Sequence, residues 1–351
     1  MITDLTRQRW PRFQELVQGY DAGGRWLVLT HDNPDPDSIA SAATLSRILR
    51  VAFRHPVTTA YGGIIGRAEN REMVKALGIH LTHSRRLNWK HYRHVALVDC
   101  QPGTGNNQLP QDRVADLIFD HHPMRRATQK AGFADIRTDY GATATILAEY
   151  LEISGVGSNK RLATALIYAI RSETQDFGRE FGGADKAAFD LFFSQADIRA
   201  LARIQSPRLP LSYFATLHRS LASLETVSTL VISHLGPVEQ PDIVPEIADL
   251  LLRLEGKTWS ACTGLHENRL YVSVRTTNPR ADAGRLMRRL LGRRGKGGGH
   301  GMIAGGWMET NSDGRAAPEN LQRHVARRLA QLLKKNPDRL APIVLSNGLE
   351  R

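Results

Sequence analysis

Short apolar runs alternate with helical patterns along the first half of the chain. The run from Trp26 to Thr30 is typical of a buried strand, and from Ser38 to Leu49 the apolar residues recur at helical spacing. Further strands are predicted at 57–61, 95–98 and 116–119, and further helices at 68–77, 142–151 and 160–170. Continuous apolar strands separated by helices predict βαβ units and a mostly parallel sheet that is covered on both faces.

The second half of the chain begins a new set of strands. Helical spacing from Ala184 to Leu224 is interrupted by Pro207 and Pro210, which places the link between two domains there. The segments predicted after it are strands at 226–232, 260–265 and 270–275, a helix at 283–291, a glycine turn at 297–299 and a final helix at 319–335. The sequence therefore predicts an α/β protein with a parallel-sheet domain at 1–205, a linker at 206–225 and a smaller α/β domain at 226–351.

The charge of the chain favours an anionic partner. The sequence has 351 residues, enough for two domains that each bury a core. Its 47 Lys and Arg residues exceed its 35 Asp and Glu residues, and the formal net charge is +12. Eight of the basic residues lie between Arg275 and Lys296. A local excess of this kind attracts polyanions over long range, although a merely basic surface is the alternative.

The sequence also predicts where the protein is located. No stretch approaches the roughly 20 apolar residues that span a bilayer, and the charged segment from Met1 to Tyr20 is unlike a signal peptide. Cys100 and Cys262 are too few for a disulfide framework. We therefore expect a soluble, cytoplasmic protein without a membrane partner.

Titratable residues follow three of the predicted strands. His31, Asp99 and Asp120 each stand where an apolar run stops. Because ligands of parallel sheets bind at the carboxyl ends of the strands, these residues are expected at one edge. Taken alone, Asp99 is typical of a turn, and the adjacent histidines His121 and His122 are unremarkable. Their convergence on one sheet edge is what indicates a site.

The segment 31–37 has the strongest chemical signature. It contains one histidine and three acids, Asp32, Asp35 and Asp37. One acid could simply cap the following helix, but three crowded carboxylates repel one another unless a cation compensates. Imidazole and carboxylate ligands together suit Mn²⁺, Zn²⁺ or Mg²⁺.

These motifs, in this order, resemble the DHH phosphoesterase superfamily. The resemblance rests on segment 31–37, Asp99 and the triplet Asp120-His121-His122, and it extends to about residue 180. The superfamily includes RecJ nucleases, nanoRNA/pAp phosphatases, cyclic-di-AMP phosphodiesterases and family II pyrophosphatases. In the second half, 274–275, 297–300 and 304–306 resemble the DHHA1 substrate-binding domain, which argues against a family II pyrophosphatase.

The resemblance implies a dinuclear metal site. His31, Asp35 and Asp99 would hold one ion, and Asp37, Asp99 and His121 would hold the second, so that Asp99 bridges the two. Two divalent cations are implied, with Mn²⁺ preferred and Mg²⁺ or another ion left open. Such a pair activates water and neutralises phosphate oxygens.

The remaining roles are also assigned by the resemblance. His122 would face the substrate phosphate, and it is predicted with Asp99 as a catalytic residue. Asp120 more plausibly orients the two histidines that follow it than binds a metal.

One motif departs from the family pattern. Glu173 stands where the family has the aspartate that completes the second metal site. Its extra methylene displaces the carboxylate, so Asp176 is an alternative ligand. We prefer Glu173.

The second domain is expected to bind the substrate. Gly298 and Gly299 offer backbone N–H groups to a phosphate, and Arg275 and His300 would add charge-assisted contacts. We therefore predict a phosphoesterase acting on short oligonucleotides or on a nucleotide such as pAp.

Three other functions remain open on the sequence alone. The protein could be a phosphodiesterase for cyclic or linear dinucleotides, or it could hydrolyse polyphosphate. It could also be a nucleotide-binding protein whose metal site has decayed. The sequence leaves open whether the chain is a monomer or a homodimer.

Overall fold

The computed structural model describes residues 2–21, 23–178, 180–310 and 317–343, except for the side chain of His300. The chain divides into two compact units, Met1–Pro207 and Arg208–Arg351. The predicted linker at 206–225 contains a helix, Leu211–Ala222, that belongs to the second unit.

The N-terminal unit is built around a six-stranded sheet. Its strands are β1 (Trp26–Leu29), β2 (Val57–Tyr61), β3 (Thr82–His83), β4 (His94–Val98), β5 (Leu117–Asp120) and β6 (Phe133–Ile136). The strand order is β3-β2-β1-β4-β5-β6, and every neighbouring pair is parallel. The predicted parallel sheet is therefore confirmed.

Helices and short turns cover this sheet. The helices are α1 (Asp4–Gly19), α2 (Pro36–Val51), α3 (Ala68–Leu77), α4 (Thr143–Ile153), α5 (Lys160–Glu173), α6 (Gly183–Phe193) and α7 (Ile198–Gln205). Short 3₁₀ turns lie at Ser84–Arg86, Trp89–His91 and Arg126–Lys130. Alternate strand residues belong to two buried clusters, with Val28 in one and Leu27 in the other. Both faces of the sheet are thus buried, which explains why its strands lack an alternating apolar and polar pattern.

The C-terminal unit has a mixed seven-stranded sheet. Its strands are β7 (Glu225–Val227), β8 (Leu230–Pro237), β9 (Trp259–His266), β10 (Arg269–Thr276), β11 (Gly295–His300), β12 (Ile303–Glu309) and β13 (Ala341–Pro342). The order is β11-β12-β10-β9-β8-β7-β13, with β8 and β9 parallel and the other pairs antiparallel. The α/β character predicted for this half is confirmed.

Four helices of the described residues accompany this sheet. They are α8 (Leu211–Ala222), α9 (Ile243–Leu251), α10 (Ala283–Leu291) and α11 (Pro318–Leu332), and a 3₁₀ turn lies at Pro337–Arg339. In the predicted linker, Ser220 of α8 exchanges a buried hydrogen bond of 2.8 Å with Ser233 of β8. This contact fixes α8 to the sheet, so most of the segment is a packed element of the second unit.

The prediction of a glycine turn at 297–299 is wrong. These residues lie inside β11, where Gly297, Gly298 and Gly299 pair with Gly306, Gly305 and Ala304 of β12. The local glycine signal indicated a turn because it contains no information about a partner strand. Close packing explains Gly297 of β11 and Gly306 of β12, since a Cβ on either residue would collide with Leu291 of α10.

The described residues contain no helix that is long and apolar enough to cross a membrane.

Candidate metal centre

The candidate site lies at the carboxyl edge of three adjacent strands. β1 leads to His31, β4 to Asp99, and β5 ends in Asp120, which is followed by two histidines. Because β4 lies between β1 and β5, Asp99 occupies the middle of this edge. The topology therefore brings together side chains that are up to 91 positions apart in the sequence (31 to 122).

His31 connects the start of α2 with the end of β4. Its Nε2 lies 3.6 Å from Asp35 Oδ2 and 3.6 Å from Asp99 Oδ2. Asp35 is the N-cap of α2 and accepts a 3.0 Å hydrogen bond from the Ser38 backbone, so its carboxylate is fixed in place. Burial opposes protonation of His31, but the hydrogen bond and charge of Asp35 outweigh it and raise the pKa of His31. Asp32 lies outside this group, since it accepts from Gln108 instead.

Asp37 is held by the first turn of α4. It is 1% exposed, and its two carboxylate oxygens accept backbone hydrogen bonds of 2.8 and 2.7 Å from Thr143 and Ala144. The partial positive charge of a helix N-terminus favours a carboxylate at this position. Burial and the nearby charges of Asp35 and Glu173 nevertheless raise the pKa of Asp37 well above its usual range.

Asp99 is shared by the two halves of the site. It lies in the left-handed region with a φ of 57°, accepts a 3.1 Å hydrogen bond from Thr143 Oγ1, and is 4% exposed. Its carboxylate lies 3.7 Å from His121 Nε2 and 3.8 Å from His122 Nδ1. Potential ligand atoms fall within 4.8 Å of one another in two groups, one of His31, Asp35 and Asp99 and one of Asp99, His121 and His122. Asp99 is the member that both groups share.

The two histidines after β5 are oriented by different acceptors. His121 Nδ1 lies 3.2 Å from the backbone carbonyl of Tyr140, which leaves Nε2 directed at Asp99 and, at 3.9 Å, at Asp37. His122 Nδ1 lies 2.8 Å from Asp120. Asp120 therefore orients His122, and its hydrogen bond and charge raise the pKa of His122 against the effect of burial.

Glu173 lies close enough to the cluster to act on it electrostatically. It is the last residue of α5, and its charge adds to burial in raising the pKa of Asp37 and of Asp99. The alternative residue, Asp176, instead forms an ion pair with Arg171, and its side chain is 67% exposed. Of the two acids proposed from the sequence, only Glu173 contributes to these pKa shifts.

The chemistry of this cluster suits divalent cations. Burial and mutual repulsion raise the pKa values of Asp37 and Asp99 well above the usual range. Buried carboxylates in such close proximity are costly unless a cation compensates for their charge. Carboxylate oxygens and neutral imidazole nitrogens are the donors that Mn²⁺ and related ions accept, so the donor set fits.

The residues predicted to bind the substrate in the second unit differ in their burial and in the contacts that they make. Arg275 is 6% exposed, and its guanidinium donates to Asp249 Oδ1 at 2.6 Å and to Ser273 Oγ at 2.8 Å. A Cβ on Gly298 would meet nothing within 4 Å, whereas on Gly299 it would collide with β12. The backbone of His300 ends β11, and its side chain lies outside the described part of the structure.

The sequence analysis did not identify the residues that position the ligands. Thr143 contacts both Asp37 and Asp99, the Tyr140 carbonyl orients His121, and Gln101 donates to Asp120 at 2.7 Å. None of these residues belongs to a recognisable motif. The only available signal was the position of Thr143 at the start of a predicted helix, where a threonine usually suggests a cap.

Comparisons with known proteins identify the family. The DHH family N-terminal domain matches residues 25–170, and the DHHA1 domain matches residues 227–336. The chain belongs to the DHH superfamily, with a DHH domain followed by a DHHA1 domain. Its Asp and His cluster is a candidate metal site.

The chain is also similar to individual proteins. An uncharacterised protein of Methanocaldococcus jannaschii is 34% identical over 278 residues, which are 78% of this chain and 56% of that protein. The chain thus spans about half the length of the curated relative. An exopolyphosphatase-related protein from Bacteroides fragilis has the same fold, with a TM-score of 0.70 at 13% identity over 93% of this chain and 98% of that one. A pGpG-specific phosphodiesterase from Vibrio cholerae gives a TM-score of 0.41 at 13% identity over 89% and 100% of the two chains.

Proposed function

We propose that this protein is a metal-dependent phosphoesterase that hydrolyses short oligonucleotides or small nucleotides such as pAp. The observation that carries the proposal is the position of Asp99, whose carboxylate belongs to both groups of potential ligands. A carboxylate between two sets of donors is the arrangement that a pair of metal ions requires.

Each ion would have its own set of ligands. His31, Asp35 and Asp99, the first of these groups, would hold one ion. Asp37, Asp99, His121 and Glu173 would hold the other, so that His122 of the second group is left for the substrate. Two such ions, of which Mn²⁺ is our preferred candidate, supply an activated water and neutralise phosphate oxygens. The charge of Glu173, which contributes to raising the pKa of Asp37 and of Asp99, supports an intact site over a degenerate nucleotide-binding one.

His122 is the residue that we assign to the substrate phosphate. Its side chain is 43% exposed, whereas Asp99 is almost completely buried. With Nδ1 2.8 Å from Asp120, a protonated His122 would carry a second N–H, on Nε2, that can donate a hydrogen bond to a phosphate oxygen. In the absence of bound ions the hydrogen bond and charge of Asp120 raise the pKa of His122, and protonation of the ring would strengthen this bond.

The DHHA1 domain would bind the rest of the substrate. Gly298 offers backbone on an open strand surface, and Gly299 and His300 continue the same strand. The contribution of Arg275 would be weaker than its sequence suggests, because Asp249 partly neutralises its charge. A cytoplasmic location remains a prediction, and a homodimer remains one of the two oligomeric states that the sequence leaves open.

The direct test is hydrolysis of bis-p-nitrophenyl phosphate and of pAp with added Mn²⁺ and after exhaustive chelation. We expect turnover with the ion and a loss of at least about a hundredfold without it, because the ions would both activate the water and neutralise the phosphate oxygens. Restoration by Mn²⁺ after EDTA is the control for damage to the protein. Undiminished turnover by the metal-free protein would rule out the proposal.

A further inference from the structure

The outer face of the C-terminal sheet, opposite α10, contains an indole with two cations over its ring. Trp307 of β12 pairs with Lys296 of β11 and with Tyr271 of β10. The guanidinium carbon of Arg269 lies 4.0 Å from the centroid of the Trp307 ring, and Lys296 Nζ lies 5.9 Å from it. Arg269 and Lys296 are exposed and Trp307 is half-buried. An aromatic ring flanked by cations is a common way to bind a nucleobase and its phosphate.

A surface of glycine adjoins Trp307. One step along the same face, Gly305 lies between Gly298 and Ser273 in the register of the three strands. A Cβ on Gly298 would meet nothing within 4 Å, and on Gly305 it would meet only a backbone oxygen at 3.9 Å. Packing therefore does not require these two glycines, unlike Gly297 and Gly306 on the opposite face. Their effect is to leave β11 and β12 without side chains on the outer face in the row next to the indole.

Residues that pair across β11, β12 and β10 form rows on this face, and the distance between neighbouring rows suits a substrate longer than one nucleotide. Residues two apart on a strand are about 7 Å apart, so Trp307 lies one step of this size beyond Gly305. A phosphate at Gly298 would leave the next nucleotide of a strand within reach of the indole. The basic surface ends one row further on, because Glu309 pairs with Arg269. The face therefore accommodates about one additional nucleotide.

We propose that Trp307, Arg269 and Lys296 form a stacking subsite for a second nucleotide, so that the enzyme prefers oligonucleotides of two or more residues to pAp. The inference rests on the proposed function, since it takes Gly298 as the contact for a substrate phosphate. Tyr271 is not part of the subsite, because its ring packs into the buried cluster under α9. Stacking on an indole tolerates every base, so this subsite selects length rather than sequence.

Steady-state kinetics with Mn²⁺ on pAp and on the dinucleotide pApA test the subsite. The Trp307→Val variant replaces the indole with a side chain that is suited to strands. We expect its KM for pApA to rise about tenfold more than its KM for pAp, because only pApA has a second base. Trp307→Phe should retain most of the preference, since it keeps an aromatic plane. Trp89→Val is the matched control, because it removes a half-buried indole from the N-terminal unit.

The outcomes separate this inference from the proposed function. An equal change in KM for the two substrates would mean that Trp307 only supports the sheet, and it would overturn the subsite. Quenching of tryptophan fluorescence by pApA in the absence of metal measures binding without catalysis. The quenching is compared between wild type and Trp307→Val. If the wild type hydrolyses neither substrate, the proposed function fails. In that case the binding measurement still tests the subsite, which is ruled out if pApA quenches the fluorescence of the two proteins equally.

Discussion

Asp99 combines an unusual backbone conformation with the central position in the metal centre. Its φ of 57° is accessible at little cost to Gly, Asn and Asp, whose side chains tolerate the left-handed region. Among these three, only Asp supplies a charged ligand. The backbone turns there directly after β4, which directs the carboxylate to His31 on one side and to His121 on the other.

Asp99→Asn is therefore a sharper test of this residue than Asp99→Ala. Asn keeps the size and the left-handed preference but removes the charge that would be shared by two ions. We expect the Mn²⁺-dependent rate to fall by about three orders of magnitude. The metal-free variant should unfold at a temperature no lower than wild type, because one of several mutually repelling carboxylates is gone. A near wild-type rate would show that Asp99 is only a turn residue.

Single residues of the site were predictable to the extent that a motif contains them. His31, Asp35 and Asp99 could be placed together because the ends of parallel strands share an edge, and the structure brings them within 4.8 Å. Thr143 could not be predicted, because its contacts with Asp37 and Asp99 depend on how α4 packs against α2. No local pattern encodes that packing.

At the scale of elements, the first turn of α4 supports the metal centre. Thr143 donates its backbone N–H to Asp37 and its hydroxyl to Asp99, so one residue fixes two carboxylates of different elements. Hydrogen bonds of this kind orient metal ligands, and their loss commonly reduces metal affinity or activity by 10- to 100-fold.

Thr143→Val tests this support. The substitution keeps the shape and the backbone bond but removes the hydroxyl donor, so we expect Mn²⁺ affinity to fall about tenfold with the fold retained. Isothermal titration with Mn²⁺ and the Mn²⁺ dependence of the rate both measure it. Thr145→Val is the matched control: Thr145 is equally buried in α4, but its hydroxyl donates to Asp185 instead. An equal loss in both variants would indicate a general weakening of α4.

The burial of His234 in β8 predicts that the C-terminal unit loses stability as the pH falls. Burial lowers the pKa of His234 to about 4, compared with 6.5 in the unfolded chain. Between these values the unfolded state binds the proton and the folded state does not, so stability falls as pH decreases from 6.5 to 4. The expected loss at pH 5 is about 2 kcal/mol. Urea unfolding at pH 7 and pH 5 should show this loss in wild type but not in His234→Gln, and equal pH sensitivity of the two proteins would contradict it.

The elements themselves were predicted best where each could be recognised from its own residues. The buried runs of β1, β4 and β5 and the helix Ala283–Leu291 are examples, because periodicity alone identifies them. β6 was missed, since Phe133–Ile136 includes Asp135, whose charge is neutralised by Arg137 and by Arg9, which is distant in the sequence. The glycine strand β11 was mistaken for a turn because only its partner β12 makes it a strand.

At the scale of the whole molecule, the positive charge is distributed unevenly. The net charge of +12 includes eight basic residues between Arg275 and Lys296, and all of these except Arg275 are exposed. α10 packs on the face of the C-terminal sheet opposite Trp307, so its exposed residues lie on that side. They can therefore act on a substrate bound at the glycine strand only through long-range attraction, which salt screens over about 10 Å at 0.1 M.

Salt dependence follows from this distribution. For a short RNA the apparent KM should rise as salt increases from 50 to 200 mM, with a logarithmic slope of about 0.7 for each phosphate whose counterions are released. Replacing Arg285, Arg288 and Arg289 by Gln should raise KM several-fold at low salt and have little effect at high salt, where the attraction is already screened.

A charge-matched variant decides whether position or net charge matters. Gln at Arg12, Arg86 and Arg199 removes three exposed charges from the N-terminal unit and changes the net charge by the same amount. If the α10 charges attract the substrate locally, this control should change KM and its salt slope much less. Equal slopes in the two triple variants would mean that only the total charge steers the substrate, and the basic run at 275–296 would then have no special part in binding.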